Sequence, residues 1–197
     1  MTERYVVGVD TGLAGSLREA DHLLRGLAVE LGLADDVVGC THHVREGGRP
    51  HTALSFAVPS ERAARTAWQG LVARESGAAL GLALGTERHG PAELAAGAAL
   101  AAAEHTARAG GRAVRYPGAE ALTGTVTVAR LLADSAVDRV AVLGAPDAPE
   151  PERRIVTRDH VRPEWRDGHL VLAAMPAAGG TLVPFEVPDP TPCCADH

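Results

Sequence analysis

Tyr5-Val6-Val7-Gly8-Val9-Asp10 runs into Thr11-Gly12-Leu13-Ala14-Gly15, and Ser16-Leu17-Arg18-Glu19 follows. An apolar run, a glycine-punctuated turn and a helix start stand here in one stretch. Ser16 with Glu19 three residues on is a capping box, in which a hydroxyl and a carboxylate satisfy backbone amides that the first helical turn leaves free. The spacing predicts a strand over Tyr5 to Asp10 and a helix from about Leu17 to Leu31. Ala20, Leu23, Leu24, Leu27 and Leu31 form one buried face of that helix, and Gly32 lies just past its end. An acid at the carboxyl end of a buried strand, beside the free amides of a helix N-terminus, is where open α/β sheets hold ligands.

The next elements alternate in the same way. Val37 to Val44 reads as a strand with Val38, Cys40 and His42 on one face and Val37, Gly39, Thr41 and His43 on the other. Glu46-Gly47-Gly48-Arg49-Pro50 reads as a hairpin turn and Thr52 to Val58 as the returning strand. Pro59-Ser60-Glu61 starts a helix whose inward stripe is Ala64, Ala67, Trp68, Leu71 and Val72, Glu75-Ser76-Gly77 ends it, and Ala78 to Leu84 is a fourth strand. The order strand-helix-strand-strand-helix-strand predicts an α/β (α+β) fold with a ferredoxin-like split βαβ core over roughly the first 85 residues.

Further elements extend that core. Gly85 to His89 reads as a loop. Gly90-Pro91 opens an alanine-rich helix closed by Gly110-Gly111, a helix spans about Thr123 to Ala133, and Arg139 to Leu143 is a short strand. Ala145 to Pro151, with three prolines and two acids, reads as a linker. Strands at Ile155 to Thr157, His169 to Met175 and Thr181 to Val187 follow, the last two forming a C-terminal β-hairpin. The expected organisation is a domain over 1–144, a linker over 145–152, a hairpin appendage over 153–187 and an extended tail over 188–197.

The composition narrows the chemistry. The 197 residues are 46% hydrophobic, enough for a proper core, and the apolar stock is mostly Ala, Val and Leu, so helices should lie close to their sheet. There is no lysine and all 19 basic residues are arginine, which excludes a Walker lysine, a Schiff-base lysine and a kinase-type lysine. A net charge of −6 with arginines spread singly argues against nucleic acid as a partner. The first residues lack the pattern of a signal peptide, and the run Leu94 to Ala103 is too short to span a bilayer. Three cysteines, two of them adjacent, make no disulfide framework. A soluble, cytoplasmic protein is expected, with a small-molecule ligand, no membrane partner and room for homo-oligomers.

Three constellations carry chemistry. Asp10 could hold a metal-bound phosphate, with Thr11, Gly12, Gly15 and Ser16 supplying backbone approach and hydroxyls, and with Gly124 and Thr125 as a second anion-binding turn. Cys40, His42 and, across the hairpin, His51 form a set of soft and borderline ligands suited to zinc or copper. An alternative use is His51 or His42 as an acid/base group over the sheet. The tail residues Cys193, Cys194 and His197 could capture a soft metal or form a redox pair. A capping residue, a core cysteine and an unstructured terminus are the plainer readings of the same residues.

In order along the chain, several of these segments resemble the archaeal agmatinylcytidine synthetase that modifies an isoleucine tRNA. Gly8-Val9-Asp10-Thr11-Gly12 resembles its N-terminal glycine, isoleucine, double-aspartate, threonine, aspartate motif. Pro50-His51-Thr52-Ala53-Leu54-Ser55-Phe56 sits where that family has an asparagine, glycine, small-apolar, serine, phenylalanine strand, and Glu75-Ser76-Gly77-Ala78-Ala79-Leu80 is similar to its aspartate, proline, glycine segment. The turn at Gly124 is similar to its glycine-rich turn before an alanine-rich helix. The resemblance covers the kinase-like and ferredoxin-like portions and implies ATP and Mg²⁺ handled by Asp10, with phosphoryl transfer or ligase-like carbonyl activation. One acid of the N-terminal pair and the asparagine are missing, and the tRNA-binding barrel and zinc ribbon have no counterpart. Three function classes therefore stand: a nucleotide-binding enzyme or enzyme-derived domain, a non-catalytic metal-binding or regulatory protein, and a structural subunit that inherited the fold and keeps no ligand.

Overall fold

A computed structural model describes residues 4–45, 49–74 and 79–188 of the chain. In chain order the elements are β1 (Tyr5–Leu13), α1 (Leu17–Glu30), β2 (Val38–Val44), β3 (His51–Val58), α2 (Glu61–Ala73), β4 (Gly81–Leu84), β5 (Glu87–His89), α3 (Ala92–Ala107), β6 (Arg112–Arg115), β7 (Thr125–Thr127), α4 (Val128–Asp134), β8 (Arg139–Val142), β9 (Arg154–Val156), β10 (Glu164–Arg166), β11 (His169–Pro176) and β12 (Leu182–Pro184). The fold is mixed α/β, as expected. The chain divides into two compact units, one of residues 1–117 and 164–169, the other of 118–163 and 170–197.

In the first unit the strand order is β5-β4-β1-β3-β2-β6-β10, and every neighbouring pair is antiparallel. Period-2 alternation gives the central strands two differently used faces. Val7 and Val9 of β1, Leu54 and Phe56 of β3 and Leu82 of β4 join Leu24 and Leu27 of α1 and Ala64, Ala67 and Leu71 of α2 in one apolar core. The alternate residues carry small and polar side chains, and α3 packs against them along β1, β3 and β4. That approach requires glycine. A Cβ on Gly8 would stand 1.9 Å from the Ala98 carbonyl oxygen, and one on Gly81 2.1 Å from the Leu94 carbonyl carbon.

In the second unit β7 pairs antiparallel with β9, β9 parallel with β12, β12 antiparallel with β11, and β11 parallel with β8. Leu131, Ile155, Leu170, Leu172 and Leu182 are buried there. The expected pairing of the last two strands is present, Ala174 facing Pro184.

Several boundaries differ from the sequence reading, for local reasons. β1 does not stop at Asp10 but continues to Leu13, with its register against β3 shifting between Val9 and Leu13. Asp10 is therefore inside a strand. Residues 87–89, read as loop, pair with β4 as an edge strand. α3 ends at Ala107, before the glycine pair, because Arg108 takes a left-handed φ of 50° and its amide donates back to the last turn. The helix expected from Thr123 starts at Val128, capped by the Thr127 hydroxyl, since residues 125–127 pair with β9. The expected hairpin residues 46–48, the helix end 75–77 and the tail lie outside the described residues. No helix among the described residues is long and apolar enough to cross a membrane.

Candidate functional site

Apart from the buried Arg112–Asp21 ion pair, two clusters of polar groups in the first unit lie on the face of the sheet that α3 covers. The first is built on Asp10, which is fully buried. Its Oδ1 accepts from the Gly12 amide at 2.8 Å, so the turn after Asp10 folds back on the carboxylate. Its Oδ2 lies 2.8 Å from His51 Nε2, and His51 Nδ1 lies 3.0 Å from the Arg49 carbonyl oxygen. A carbonyl and a carboxylate are both acceptors, so these two contacts favour the doubly protonated, cationic ring. Burial pulls the His51 pKa down, but the Arg49 carbonyl and the Asp10 carboxylate outweigh it and hold the pKa above its ordinary value. α3 closes over the pair at Gly97, where a Cβ would stand 1.9 Å from Asp10 Oδ2.

Asp10 and His51 were expected as catalytic residues, and the fold does bring them together. It also removes Asp10 from direct contact with any ligand, because both oxygens are engaged and no surface is left. Beside the pair is an open hollow of about 220 Å³ lined by Ala14, Gly15, Leu17, His43, Val44, Arg45, Pro50, His51 and Thr52. Of the residues expected to bind ligand, Gly15 lines it. Thr11 is half-buried in the irregular part of β1. Gly12, at φ 66°, has spent its amide on Asp10. Ser16 is occupied as a cap: its amide donates to Glu19 Oε2 at 2.7 Å, and its Oγ accepts from the Glu19 amide at 3.3 Å. The Glu19 carboxylate thus stands where an anion would meet this amide. Gly124 and Thr125 belong to the second unit, where the Gly124 amide donates to the Asp159 carboxylate at 2.8 Å.

The second cluster starts from Cys40 and His42 of β2. His51 does not join them, which corrects the expected third ligand: opposite Val44 in the β2–β3 register, it turns to Asp10 instead. The third member is His105, from the last turn of α3. Cys40, His42 and His105 are each 3% exposed or less, and their donor atoms all lie within 4.8 Å of one another. Ser55, opposite Cys40 on β3, stands between the imidazoles, with Oγ 2.7 Å from His42 Nε2 and 2.7 Å from His105 Nδ1. On its outer side His42 Nδ1 meets Glu104 Oε2 at 2.7 Å. That bond holds the Glu104 carboxyl below its usual range, against the partial burial that pushes it up.

Trp165 of β10 closes the cluster. Its amide donates to the Gly111 carbonyl at 3.0 Å, its ring lies 6.2 Å from that of His105, and Arg108 stacks over it at 4.9 Å. The buried indole Nε1 has no hydrogen-bond partner within range. Burial pushes the Cys40 thiol pKa far up, and Trp165 and Arg112 both pull it back. Burial above all, and then the nearby positive groups, pull His105 down to about 3, so it is neutral with a lone pair to give. Gly111 permits the packing, since a Cβ there would stand 2.5 Å from His42 Cε1.

No family model, no curated protein and no solved structure matches the chain. The site therefore has to be read from its own chemistry. Cys193, Cys194 and His197, the other expected metal ligands, lie outside the described residues. His105, Glu104, Ser55 and Trp165 were missed. For His105 a signal existed: Ala98, Ala101 and His105 keep three-and-four spacing on the buried side of an alanine-rich helix, where a histidine is out of place.

Proposed function

We propose that this protein is a metal-binding protein whose centre is Cys40, His42 and His105. One observation carries the reading: three side chains that ligate soft and borderline metals converge in the interior, with a carboxylate behind one of them. A metal-bound histidine ordinarily donates its other ring N–H to a carboxylate, which fixes its tautomer and raises its basicity, and Glu104 stands to His42 in that relation. A neutral His105 supports the same reading, because protonated imidazole cannot ligate. A Ser-His-Glu hydrolase is the competing use of Ser55, His42 and Glu104. Ser55 is fully buried, so no substrate reaches its hydroxyl.

The test is elemental analysis of the full chain after equilibration with Zn²⁺ or with copper and gel filtration. One ion retained per chain, lost in Cys40→Ser and in His105→Gln, is the expected result. Retention unchanged in both variants, or no retention of either metal, overturns the reading.

A second reading is favoured by the hollow. His43, Arg45 and His51 line it, in a chain of net charge −6, which suits a small anion such as a phosphate group. The resemblance to the agmatinylcytidine synthetase would make that anion part of ATP and would support a ferredoxin-like description of the β4-β1-β3-β2 portion. In this reading Asp10 acts through His51. ATP with Mg²⁺ should then raise the melting temperature of wild type more than that of Arg45→Ala, and equal shifts would sink it.

A further inference from the structure

We infer that the ion held by Cys40, His42 and His105 is monovalent copper. This rests on the metal-binding reading above and says which ion that site takes. Four features of the cluster point the same way.

The first is the donor set. Among the described residues one thiol and two imidazoles converge, and the Ser55 hydroxyl that stands between the imidazoles is a hard and neutral oxygen. Calcium and magnesium need shells of oxygen ligands, which are absent here. A structural zinc ion takes four nitrogen or sulfur ligands. Thiolate with imidazole in a three-donor set suits copper in its soft, monovalent state.

The second is burial. Zinc with three protein ligands keeps a fourth position for water or substrate. Cys40, His42, Ser55 and His105 are all nearly or fully buried, beneath α3 and Trp165, so no open fourth position faces solvent. A three-coordinate ion needs no such position.

The third is charge. Binding replaces the thiol proton by the metal: the S–H bond breaks, the S–Cu bond forms, one proton leaves for solvent and no electron is transferred. Monovalent copper with one thiolate is neutral overall. A divalent ion with the same thiolate leaves one positive charge among buried side chains, with the Glu104 carboxylate part-exposed on the far side of His42. A net charge in such surroundings is costly.

The fourth is the unpartnered indole. The Trp165 N–H is buried and unsatisfied, and the Trp165 backbone is bonded to Gly111, which packs close against Cys40 and His42. A neutral thiol is a poor acceptor, whereas a metal-bound thiolate is a good one, and hydrogen bonds to ligating sulfur belong to the outer shell that tunes such sites. Loading the site therefore supplies the acceptor that this donor lacks.

The experiment uses the full chain carrying Cys193→Ser and Cys194→Ser, so that the tail thiols do not compete. Copper is added anaerobically as its monovalent acetonitrile complex against the chromogenic chelator bicinchoninate. Expected are one equivalent of copper withheld from the chelator, release of about one proton per ion above neutral pH, and copper K-edge absorption fitting two nitrogens and one sulfur. Cys40→Ser should abolish withholding, and Trp165→Phe should keep the stoichiometry while weakening affinity on the order of tenfold. Because a core variant can misfold, the absorption spectrum of the protein with native Cys40 is the deciding measurement. A four-coordinate environment, or one without sulfur, overturns the copper assignment. So does Zn²⁺ bound stoichiometrically at Cys40 in the presence of equimolar monovalent copper, although the metal-binding reading then survives. Failure of every metal tested to bind the native cluster overturns both.

Discussion

Two glycines set the chemistry of the α3 face by what they lack. Gly97 leaves room for the Asp10 carboxylate, and Gly97→Ala would put a methyl group 1.9 Å from Asp10 Oδ2. The backbone there is helical, so the steric cost is what counts. We expect a stability loss of about 1–3 kcal/mol in urea unfolding and, by NMR titration, a His51 pKa lowered toward its free value. The Asp10–His51 pair also makes a signed pH prediction. Its folded pKa is raised, so its contribution is fully present below the unfolded pKa of about 6.5 and fades as pH rises through the folded value. The stability gap between wild type and Asp10→Asn should therefore be wider at about pH 5.5 than at about pH 8.5. A gap of the same width at both would show that His51 is not held as a cation.

At the scale of elements, α1 begins where the sequence said it would, because its start is written in adjacent residues. Ser16 caps it and Glu19 reciprocates, so Ser16→Ala should cost about 0.5–2 kcal/mol in thermal or urea unfolding, with copper uptake unchanged. The amphipathic helices α1 and α2 and the alternation of β2 and β3 were legible for the same reason: local period and local caps decide them. α3 was legible as a helix but not as a wall of the site. Alanine and glycine surround it on nearly all sides, so no apolar stripe says which face is inward, and His105 and Glu104 gave up their roles only when the strands under them were known. β1 was misread past Asp10, since glycine at Gly12 suggests a turn while the actual strand carries an irregularity there. Trp165 was illegible, because a three-residue strand leaves no periodicity and its partner β6 is about fifty residues away in the chain.

For the whole molecule, charge and site occupancy are the levers. A ligand that binds only the folded state at one hundred times its Kd adds about 2.7 kcal/mol of stability. Monovalent copper at that excess should raise the melting temperature of wild type by several degrees and leave Cys40→Ser unmoved, in differential scanning calorimetry under argon. Among the described residues the three ligands of this centre all belong to the first unit, and the buried residues of the second give it a separate core.

The first unit is written in two instalments, residues 1–117 and then 164–169, with the whole of the second unit's first stretch synthesised in between. During translation all three ligating side chains emerge well before Trp165 does. A ribosome-bound chain must therefore wait for more than fifty further residues before the indole can shield the thiol. Throughout that interval Cys40 lacks the Trp165 part of its cover, and oxidants or competing metals have their best chance at it before β10 arrives.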